Sequence, residues 1–305
     1  MRSRWRSRAN RTPTGDGGRR TASRRQRSHA IGTLYVVGTP IGNLDDISAR
    51  ALRVLATAGL IVAEDTRRTR KLLSHFDIHV PLASFHAHSG PADRARLIAR
   101  LGATDVALVT DAGTPGISDP GAELVTAAVA AGHAVVPIPG PSAVAAALSV
   151  AGLPADAYVF LGFMPRRGAD RRALLSSVAA ERRTLVAFET PQRLAAALAD
   201  LAGALGGGRP ICVARELTKL HEEVWHGPLA EAAARWSSLP PRGEFTLVIA
   251  GAPEQTPDAW DDDRVRAALG ALRAEGLGAR EAARRVAAVA GRPAREVYRL
   301  WDHEA

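Results

Sequence analysis

Short apolar runs alternate with segments of helical periodicity between residues 33 and 150, and this alternation constrains the fold more than any other feature of the sequence. Apolar runs of four to seven residues are typical of buried strands, and apolar residues three or four apart are typical of helices. The alternation therefore predicts an α/β domain. The predicted strands are Thr33–Val37, Leu60–Ala63, Leu82–Phe85, Val106–Thr110 and Ala134–Ile138. The predicted helices are Ile47–Thr57, Thr66–Ser74, Ala92–Leu101, Ala122–Ala131 and Pro141–Val150, with Pro141 in the first helical turn.

A second series of the same kind begins near Leu153. It predicts strands at Val159–Phe163, Thr184–Phe188, Ile211–Ala214 and Phe245–Ile249, and helices at Arg171–Ala180 and Gln192–Ala204. The polar segment from Pro253 to Asp263 is predicted to be a linker. Two or three short helices are predicted beyond it, at Val265–Ala274, Ala279–Val289 and Pro293–Trp301. The predicted organisation is a first α/β domain over residues 31–152, a second over 153–252, and a linker with a small helical appendage over 253–305.

The first 30 residues form a separate, strongly basic segment. They contain ten arginines and one acidic residue, Asp16, and therefore account for the whole formal net charge of +9. A basic tail can bind RNA by releasing counterions from phosphates, and a solvated, dispensable arm explains the composition equally well. We expect residues 1–30 to be a disordered tail.

The composition excludes several classes of protein. No apolar run reaches the roughly 18–20 residues that a membrane-spanning helix needs, so we expect a soluble, cytoplasmic protein with no membrane partner. The single cysteine, Cys212, excludes an internal disulfide and any multi-cysteine metal site. Its strand-like surroundings indicate a small buried hydrophobic residue. His86 and His88 lack a third ligand, so no metal is predicted.

Three loops rich in glycine and proline follow predicted strands of the first domain: Gly38–Leu44, Asp111–Gly121 and Pro137–Ser142. Glycine lets the backbone turn sharply and approach a ligand, and ligands of open α/β sheets bind at the carboxyl ends of the strands. The three loops therefore predict a polar-rimmed cleft at one edge of the sheet. Glu64 and Asp65 lie about 20 residues after the first loop, the spacing at which dinucleotide-binding folds place the acidic residue that binds the ribose. A nucleotide-binding enzyme of another class is therefore an alternative interpretation.

The segment that begins the second predicted helix carries an unusual charge pattern. Asp65 or Thr66 can cap the helix. The next turns carry three arginines and a lysine, among them Arg67, Arg68 and Lys71, although the helix dipole favours acidic groups at this end. Contact with RNA phosphates would explain the arrangement, and a solvated surface is the alternative.

Seven ordered motifs in the chain resemble those of one known family. They are Thr39–Leu44, Ala63–Arg67, Asp111–Pro115, Pro139–Ala143, Gly162-Phe163 with Pro165-Arg166, Arg215–Lys219 and Gly243-Glu244. From about residue 32 to residue 251 the chain resembles the ribosomal RNA small-subunit methyltransferase I family, which is similar to the tetrapyrrole methylases. The resemblance implies a two-domain α/β fold of the tetrapyrrole-methylase type, with the methyl donor in the cleft between the domains and a small C-terminal helical appendage.

The resemblance also implies an activity. In the family, S-adenosylmethionine donates a methyl group to the ribose 2′-hydroxyl of a cytidine in small-subunit (16S) ribosomal RNA. The implied partner is therefore 16S rRNA or the small ribosomal subunit, and a homodimer is expected by analogy with related enzymes. Carried over by position, the donor is expected to contact Pro40, Asp111, Ala112, Gly113, Ser118, Ser142, Ala143, Phe188, Leu217 and Thr246.

The expected reaction is an in-line displacement of the sulfonium methyl group by the ribose oxygen. Alignment of the reactants is worth on the order of 7–11 kcal/mol in such a reaction. A general base should remove the hydroxyl proton as the new bond forms. The candidates for this base are Asp65, Glu64 and Glu189, and the residues expected to hold the RNA phosphates are Arg67, Arg68 and Lys71.

Two other functions stay open at this point. One is a methyltransferase that acts on a tetrapyrrole (precorrin) ring, which needs an open apolar trough; the basic segment after Glu64 argues against it. The other is a non-enzymatic RNA-binding assembly factor that uses the basic tail and the C-terminal helices. A neutral folded body with three constrained loops favours the enzyme.

Overall fold

The computed structural model describes residues 32–238, 242–253 and 259–301. Within these ranges the chain forms two five-stranded sheets with their helices, followed by a group of C-terminal helices. The α/β class predicted from the sequence is therefore confirmed. The basic tail predicted for residues 1–30 lies outside the described residues. Among the helices of the described ranges, none combines the length and the apolar composition that crossing a bilayer requires.

The first sheet is entirely parallel. Its strands are β1 (Thr33–Val37), β2 (Leu60–Ala63), β3 (Leu82–Ser84), β4 (Val106–Val109) and β5 (Ala134–Ile138). They lie in the order β3-β2-β4-β1-β5. The connecting helices are α1 (Ala49–Thr57), α2 (Thr66–His75), α3 (Pro91–Leu101), α4 (Gly121–Ala130) and α5 (Ala143–Val150). We call the part of the chain from β1 to α5 the first lobe.

Both faces of the first sheet are covered at its central strands, because parallel strands alternate with helices that return the chain across the sheet. All four residues of β2 and all four of β4 are buried. Alternate residues enter separate apolar clusters, so that Ile61 and Ala107 pack on one face while Val62 and Leu108 pack on the other. The apolar runs of β2 and β4 therefore form the interior of the sheet, whereas β5 at its edge has three of its five residues exposed.

The second sheet is mixed. Its strands are β6 (Tyr158–Phe163), β7 (Thr184–Glu189), β8 (Pro210–Arg215), β9 (Glu223–Pro228) and β10 (Phe245–Ile249). They lie in the order β6-β7-β10-β8-β9, and within it β6 and β7 are parallel while the other neighbours are antiparallel. The helices of this part are α6 (Gly168–Ser177), α7 (Pro191–Leu205) and α8 (Leu229–Ser237). We call the part from β6 to β10 the second lobe.

Helix α5 connects the two lobes by packing. Val144 and Ala147 of α5 share one apolar cluster with Val186, Cys212 and Val248 of the second sheet. Cys212 is fully buried there, and burial raises the pKa of its thiol to about 11. The prediction that Cys212 is a small buried hydrophobic residue is confirmed.

Strand β9 and helix α8 were not predicted from the sequence. The segment Glu223–Pro228 pairs with β8 along its whole length, but it lacks an apolar run. Its adjacent apolar side chains, Val224 and Trp225, pack on different clusters, His226 is exposed, and the strand ends in Gly227 and Pro228. Helix α8 buries Leu229 and Trp236 against the second sheet. Tertiary pairing, which a local pattern does not record, creates these two elements.

Two predicted boundaries are wrong for identifiable reasons. Pro141 does not lie in the first turn of α5, because the helix begins at Ala143 after an extended Ser142. The predicted linker does not extend to Asp263, because Asp261 caps a helix by accepting a hydrogen bond from the Arg264 N–H. The acidic run therefore stabilises a helix N-terminus rather than a solvated connection.

The C-terminal helices form a unit with its own apolar cluster. They are α9 (Asp262–Ala274), α10 (Ala279–Ala290) and α11 (Ala294–Arg299). Val265, Val286 and Val297, one from each helix, pack in this cluster. Gly291 ends α10 in the left-handed region with φ +62°, a conformation that glycine adopts without strain. The predicted helical appendage is confirmed.

Candidate active site

The three glycine- and proline-rich loops meet at the carboxyl edge of the first sheet, as predicted. They follow β4, β1 and β5, which are neighbours in the sheet. The Thr39 N–H donates to the Gly113 carbonyl oxygen over 2.8 Å, and the Gly113 N–H donates back over 3.1 Å. A Cβ on Gly38 would lie 2.8 Å from the Cα of Gly140, so the backbones of the first and third loops touch where no side chain fits.

A cavity of about 370 Å³ lies between this loop cluster and one edge of the second sheet. The first lobe contributes Ile41, Glu64, Arg68, Thr110, Asp111, Ala112, Gly113, Thr114, Ile117, Ser118, Asp119, Ser142 and Ala143. The second lobe contributes Phe163, Phe188, Glu189, Thr190, Pro191, Ala214, Leu217, Lys219, Glu244, Phe245 and Thr246. The second sheet faces the cavity with the carboxyl ends of β6, β7 and β8 and with the start of the antiparallel β10, which all lie at one edge.

Most of the predicted donor contacts are brought together here. Those that line the cavity are Asp111, Ala112, Gly113, Ser118, Ser142, Ala143, Phe188, Leu217 and Thr246. Pro40 is not among the lining residues, and its neighbour Ile41 lines the cavity in its place. Residues more than 100 positions apart in sequence thus line one cavity. Their role in holding a donor stays a prediction.

Two carboxylates of the first lobe lie at the cavity wall beside each other. Glu64 Oε2 accepts a hydrogen bond from the Thr110 hydroxyl over 3.1 Å. Asp111 Oδ1 accepts from the Asp65 N–H over 3.0 Å, and its Oδ2 lies 3.4 Å from Nη1 of Arg68. The ends of β2 and β4 are therefore tied together by side chains that face the cavity.

Asp65 lies outside the cavity lining, at the start of α2. Its carboxylate accepts from the Arg67 N–H over 2.8 Å, which confirms it as the helix cap, and pairs with the Arg67 guanidinium at 2.9 Å. These hydrogen bonds from Arg67 lower the pKa of Asp65 to about 2. A carboxylate with so low a pKa has little affinity for a proton near neutral pH.

The basic residues of α2 lie at different distances from the cavity. Arg68 lines the cavity and has 64% of its side chain exposed. Arg67 and Lys71 are exposed but do not line it, while Thr69 and Leu73 bury the opposite face of the helix. The helix therefore presents its cations to solvent beside the cavity mouth.

Glu189 belongs to the cavity wall but has a different environment from Glu64. Its side chain is fully buried, and Oε1 pairs with Arg193 at 2.6 Å and accepts from the Thr190 N–H over 2.7 Å. Oε2 has no hydrogen-bond partner in the described part of the chain. Burial raises the pKa of Glu189, because the charged form loses its hydration.

The two lobes touch at a second place beside the cavity. The Asn43 N–H donates to the Thr218 hydroxyl oxygen over 3.1 Å. A Cβ on Gly42 would lie 2.4 Å from Cγ of Lys219, so glycine permits the close approach. Lys219 Nζ in turn pairs with Glu216 at 2.8 Å and with Glu244 at 3.0 Å. This contact closes one side of the cavity.

Backbone strain is concentrated around the cavity. Ser118, Glu216 and Thr218 have φ values of +62°, +52° and +66°, a region that non-glycine residues rarely adopt. Ser118 lines the cavity, and the other two lie in the loop that carries Leu217 and Lys219. Strained residues persist only where the surrounding structure holds them, and they are common at functional sites.

Several lining residues were given no role from the sequence, among them Ile117, Phe163, Lys219 and Glu244. Three of the four lie in motifs that carried the family resemblance, so a signal was present. Whether these side chains can contact a ligand depends on their exposure. That exposure depends on how the two lobes pack together, which the sequence motifs do not show.

Solved structures with the same fold are methyltransferases and a diphthine synthase. The cobalt precorrin-4 methyltransferase CbiF matches with a TM-score of 0.55 and 16% identity, over 72% of this chain and 94% of that chain. Diphthine synthase matches with a TM-score of 0.54 and 15% identity, over 72% and 90%. Uroporphyrin-III C-methyltransferase from Thermus thermophilus, complexed with S-adenyl homocysteine, matches with a TM-score of 0.52 and 19% identity, over 72% and 97%. At these identities the likeness shows the fold.

Comparison of the sequences identifies the family as well as the fold. The profile described as Tetrapyrrole (Corrin/Porphyrin) Methylases matches residues 33–233. A relative from Synechocystis sp. is 47% identical over 271 residues, which cover 88% of this chain and 97% of the relative. Another from Pseudomonas aeruginosa is 51% identical over 231 residues, covering 74% and 82%. Both are named ribosomal RNA small subunit methyltransferase I. The chain therefore belongs to the tetrapyrrole methylase family and, within it, to the ribosomal RNA small subunit methyltransferase I family.

Proposed function

We propose that this protein transfers a methyl group from S-adenosylmethionine to the ribose 2′-hydroxyl of a cytidine in small-subunit (16S) ribosomal RNA. The name of its relatives supports the substrate, since the chain spans 97% of the Synechocystis relative at 47% identity. The observation that carries the proposal is a cavity to which both lobes contribute, lined by nine of the ten residues that the family resemblance assigns to the donor.

The cavity fits S-adenosylmethionine in size and charge. Its volume of about 370 Å³ falls within the roughly 300–1,000 Å³ of small-molecule sites. The lining in the described chain holds five carboxylates and two cationic side chains, which suits a ligand with a cationic sulfonium. The lining residues proposed to hold the donor are Asp111, Ala112, Gly113, Ser118, Ser142, Ala143, Phe188, Leu217 and Thr246, and Pro40 would act through its neighbour Ile41. When bound, the donor supplies an electrophilic methyl group.

Among the three candidate bases, Glu64 has the environment best suited to take the proton. It lines the cavity, and one hydrogen bond from Thr110 orients it. Asp65 has a pKa of about 2 and Glu189 is fully buried with Arg193, so either would need a local rearrangement to act. A positioned base is worth about 10²–10⁴-fold in rate.

The RNA is proposed to approach over α2. Arg68 stands at the cavity wall, and Arg67 and Lys71 extend the positive surface away from it. Guanidinium and ammonium groups both bind phosphate through charge-assisted hydrogen bonds, so the proposal assigns these three side chains to the RNA backbone next to the target nucleotide.

The proposal includes a cytoplasmic location and a homodimer. A single-chain mass by sedimentation equilibrium would contradict the dimer.

The proposal is tested by mapping ribose methylation on 16S rRNA from cells that lack this gene. One 2′-O-methyl group on a cytidine should be missing, and the wild-type gene should restore it. Methylation of a precorrin with no change in the rRNA would contradict the proposal, and so would RNA binding without any methyl transfer.

Two variants separate donor binding from RNA binding. Asp111→Ala should abolish binding of S-adenosylhomocysteine in calorimetry, because it removes the carboxylate that ties β4 to the start of α2 at the cavity wall. Arg67→Ala should leave that binding unchanged and weaken RNA binding, because Arg67 lies outside the cavity. An Asp111→Ala variant that binds the donor product normally would overturn the donor assignment.

A further inference from the structure

Two large apolar side chains are exposed at the cavity described above. In the described part of the chain, Ile117 and Phe163 are the large hydrophobic residues of the lining that have about half of their surface exposed, 49% and 52%. Neither belongs to the donor contacts proposed above. Exposed apolar surface inside a polar-rimmed cavity indicates that something binds there.

The strand that carries Phe163 is distorted in a way that turns this side chain toward the cavity. In a regular strand Phe160 and Phe163 would point to opposite faces, since they are three residues apart. The pairing of β6 with β7 shifts between them, and Gly162 has φ +67°. Both rings consequently contact Phe188, with centroids at 5.0 and 5.4 Å. Bulges beside active sites commonly re-aim a side chain in this way.

The contact with Phe188 holds the Phe163 ring without covering it. The two ring planes are inclined by 61°, an edge-to-face arrangement that aromatic pairs prefer. The cluster with Phe160 and Phe188 fixes one side of the ring, and about half of its surface stays open. Such a ring offers a flat apolar surface in a defined orientation.

Ile117 approaches the same place from the first lobe. Its neighbour Ser118 has Oγ 3.5 Å from the point that a Cβ on Gly162 would occupy, so the loop after β4 meets strand β6 there. The Ile117 N–H donates to Asp119 over 3.1 Å, which holds the turn. Ile117 is adjacent to Ser118, and Phe163 is adjacent to Gly162. The two apolar side chains therefore lie on either side of the contact between Ser118 and Gly162, where the lobes meet.

We propose that Ile117 and Phe163 grip a nucleobase of the RNA substrate, with Phe163 as the stacking surface, and so hold the attached ribose over the cavity. This inference rests on the proposed function. Enzymes that carry out chemistry on a base take it out of its stack, and proteins that recognise single-stranded RNA stack unstacked bases on aromatic side chains. A base held in the second way would fix the position of its ribose. The adenine of the donor is the other planar ring present. Binding of S-adenosylhomocysteine, measured separately from methyl transfer, distinguishes stacking on that ring from stacking on an RNA base.

The test compares Phe163→Ala and Phe163→Trp with a matched control, Tyr158→Ala. Tyr158 lies on the same strand with 46% exposure but does not line the cavity. Methyl transfer from radiolabelled S-adenosylmethionine is measured with small ribosomal subunits from cells lacking the gene, and S-adenosylhomocysteine binding is measured by calorimetry. Phe163→Ala should lower kcat/KM for the subunits by about 5- to 150-fold, the usual effect of losing one base–aromatic stack. Phe163→Trp should restore it, and Tyr158→Ala should behave as wild type.

The outcomes separate the two proposals. If wild type methylates the subunits and Phe163→Ala does so equally well, the base-stacking role is overturned while the proposed function stands. If Phe163→Ala weakens S-adenosylhomocysteine binding by the same factor, the ring stacks on the donor adenine instead. If wild type does not methylate the subunits, the proposed function itself fails. A Phe163→Leu variant, which keeps the apolar packing, should fold normally and remain impaired.

Discussion

At the scale of single residues, three carboxylates near the cavity differ because of their surroundings. Glu64 and Asp65 are adjacent in sequence, yet one faces the cavity and the other caps α2 beneath Arg67. Glu189 is buried against Arg193. The sequence motifs indicated all three as candidate bases, but a ranking depends on burial and hydrogen bonding, which arise from tertiary contacts.

Replacing Glu64 by Gln should lower kcat by about 10²–10⁴-fold, because the amide cannot accept the hydroxyl proton. Binding of S-adenosylhomocysteine, measured by calorimetry, should change little. Glu123→Gln is the matched control, since Glu123 pairs with Arg94 on the surface away from the cavity. A Glu64→Gln enzyme with full kcat would assign the base to another group.

Glu189 should leave a signature in the pH dependence of stability. Its folded-state pKa is raised by burial, so the folded protein binds this proton more tightly than the unfolded chain does. The corresponding stability is present below the unfolded pKa, about 4.5, and is lost as the pH rises through the raised folded value. In urea unfolding, the free energy of unfolding of wild type relative to Glu189→Gln should therefore fall as the pH increases above about 4.5.

Glu181 provides the control of opposite sign. Hydrogen bonds from Arg183 lower its pKa to about 2. The free energy of unfolding of wild type, compared with that of Glu181→Gln, should therefore increase as the pH rises from about 2 to about 4.5. Equal slopes for the two residues would show that the assigned environments are wrong.

At the scale of elements, the local hydrophobic pattern of the sequence predicted the strands of the parallel sheet but missed strand β9 at the edge of the second sheet. Strands β2 and β4 are continuous apolar runs because helices cover both their faces. An apolar run of this length is by itself enough to predict a buried strand. Strand β9 lies at the edge of the second sheet with one neighbour, and only Val224 and Trp225 of its side chains pack on the apolar clusters. Its existence depends on pairing with β8, and no periodicity within the segment records that partner.

The bulge in β6 should have a measurable cost if its glycine is replaced. Gly162→Ala should lower the free energy of unfolding by about 1–2 kcal/mol, because a Cβ is unfavourable at φ +67°. The nearest atom would be Ser118 Oγ at 3.5 Å, so the effect comes from the backbone and not from a clash. Gly203→Ala is the control: it lies within α7 with open space around its Cβ, and should raise stability by about 0.5–1 kcal/mol.

At the scale of the whole molecule, the candidate site exists only where the lobes meet. Motifs predicted that three loops of the first lobe converge, because neighbouring parallel strands end at one edge. The opposite wall could be anticipated only through the family resemblance, since nothing in residues 158–249 indicates which face meets the first lobe. The Asn43–Thr218 hydrogen bond and the packing of α5 against the second sheet determine how the two lobes lie relative to each other.

Adding a side chain between the lobes should therefore weaken donor binding. In Gly42→Ala the new Cβ would stand 2.4 Å from Lys219 Cγ and 3.0 Å from the Leu217 carbonyl oxygen. Overpacking of this kind costs about 1–3 kcal/mol, which corresponds to a loss of about 5- to 150-fold in affinity. Calorimetry with S-adenosylhomocysteine measures this, with Gly90→Ala as control because its Cβ would meet nothing within 4 Å. Unchanged affinity in Gly42→Ala would mean that the contact does not set the cavity.

The division of the cavity between two stretches of sequence has a consequence during translation. Residues 38–143 build one wall and residues 163–246 build the other, and the ribosome releases them in that order. A nascent chain carries the loop cluster long before it carries its opposite wall. On the proposed assignment of the site, we expect the enzyme to become competent only after β10 has been synthesised, and a product cut short by a stop codon before β6 to be inactive.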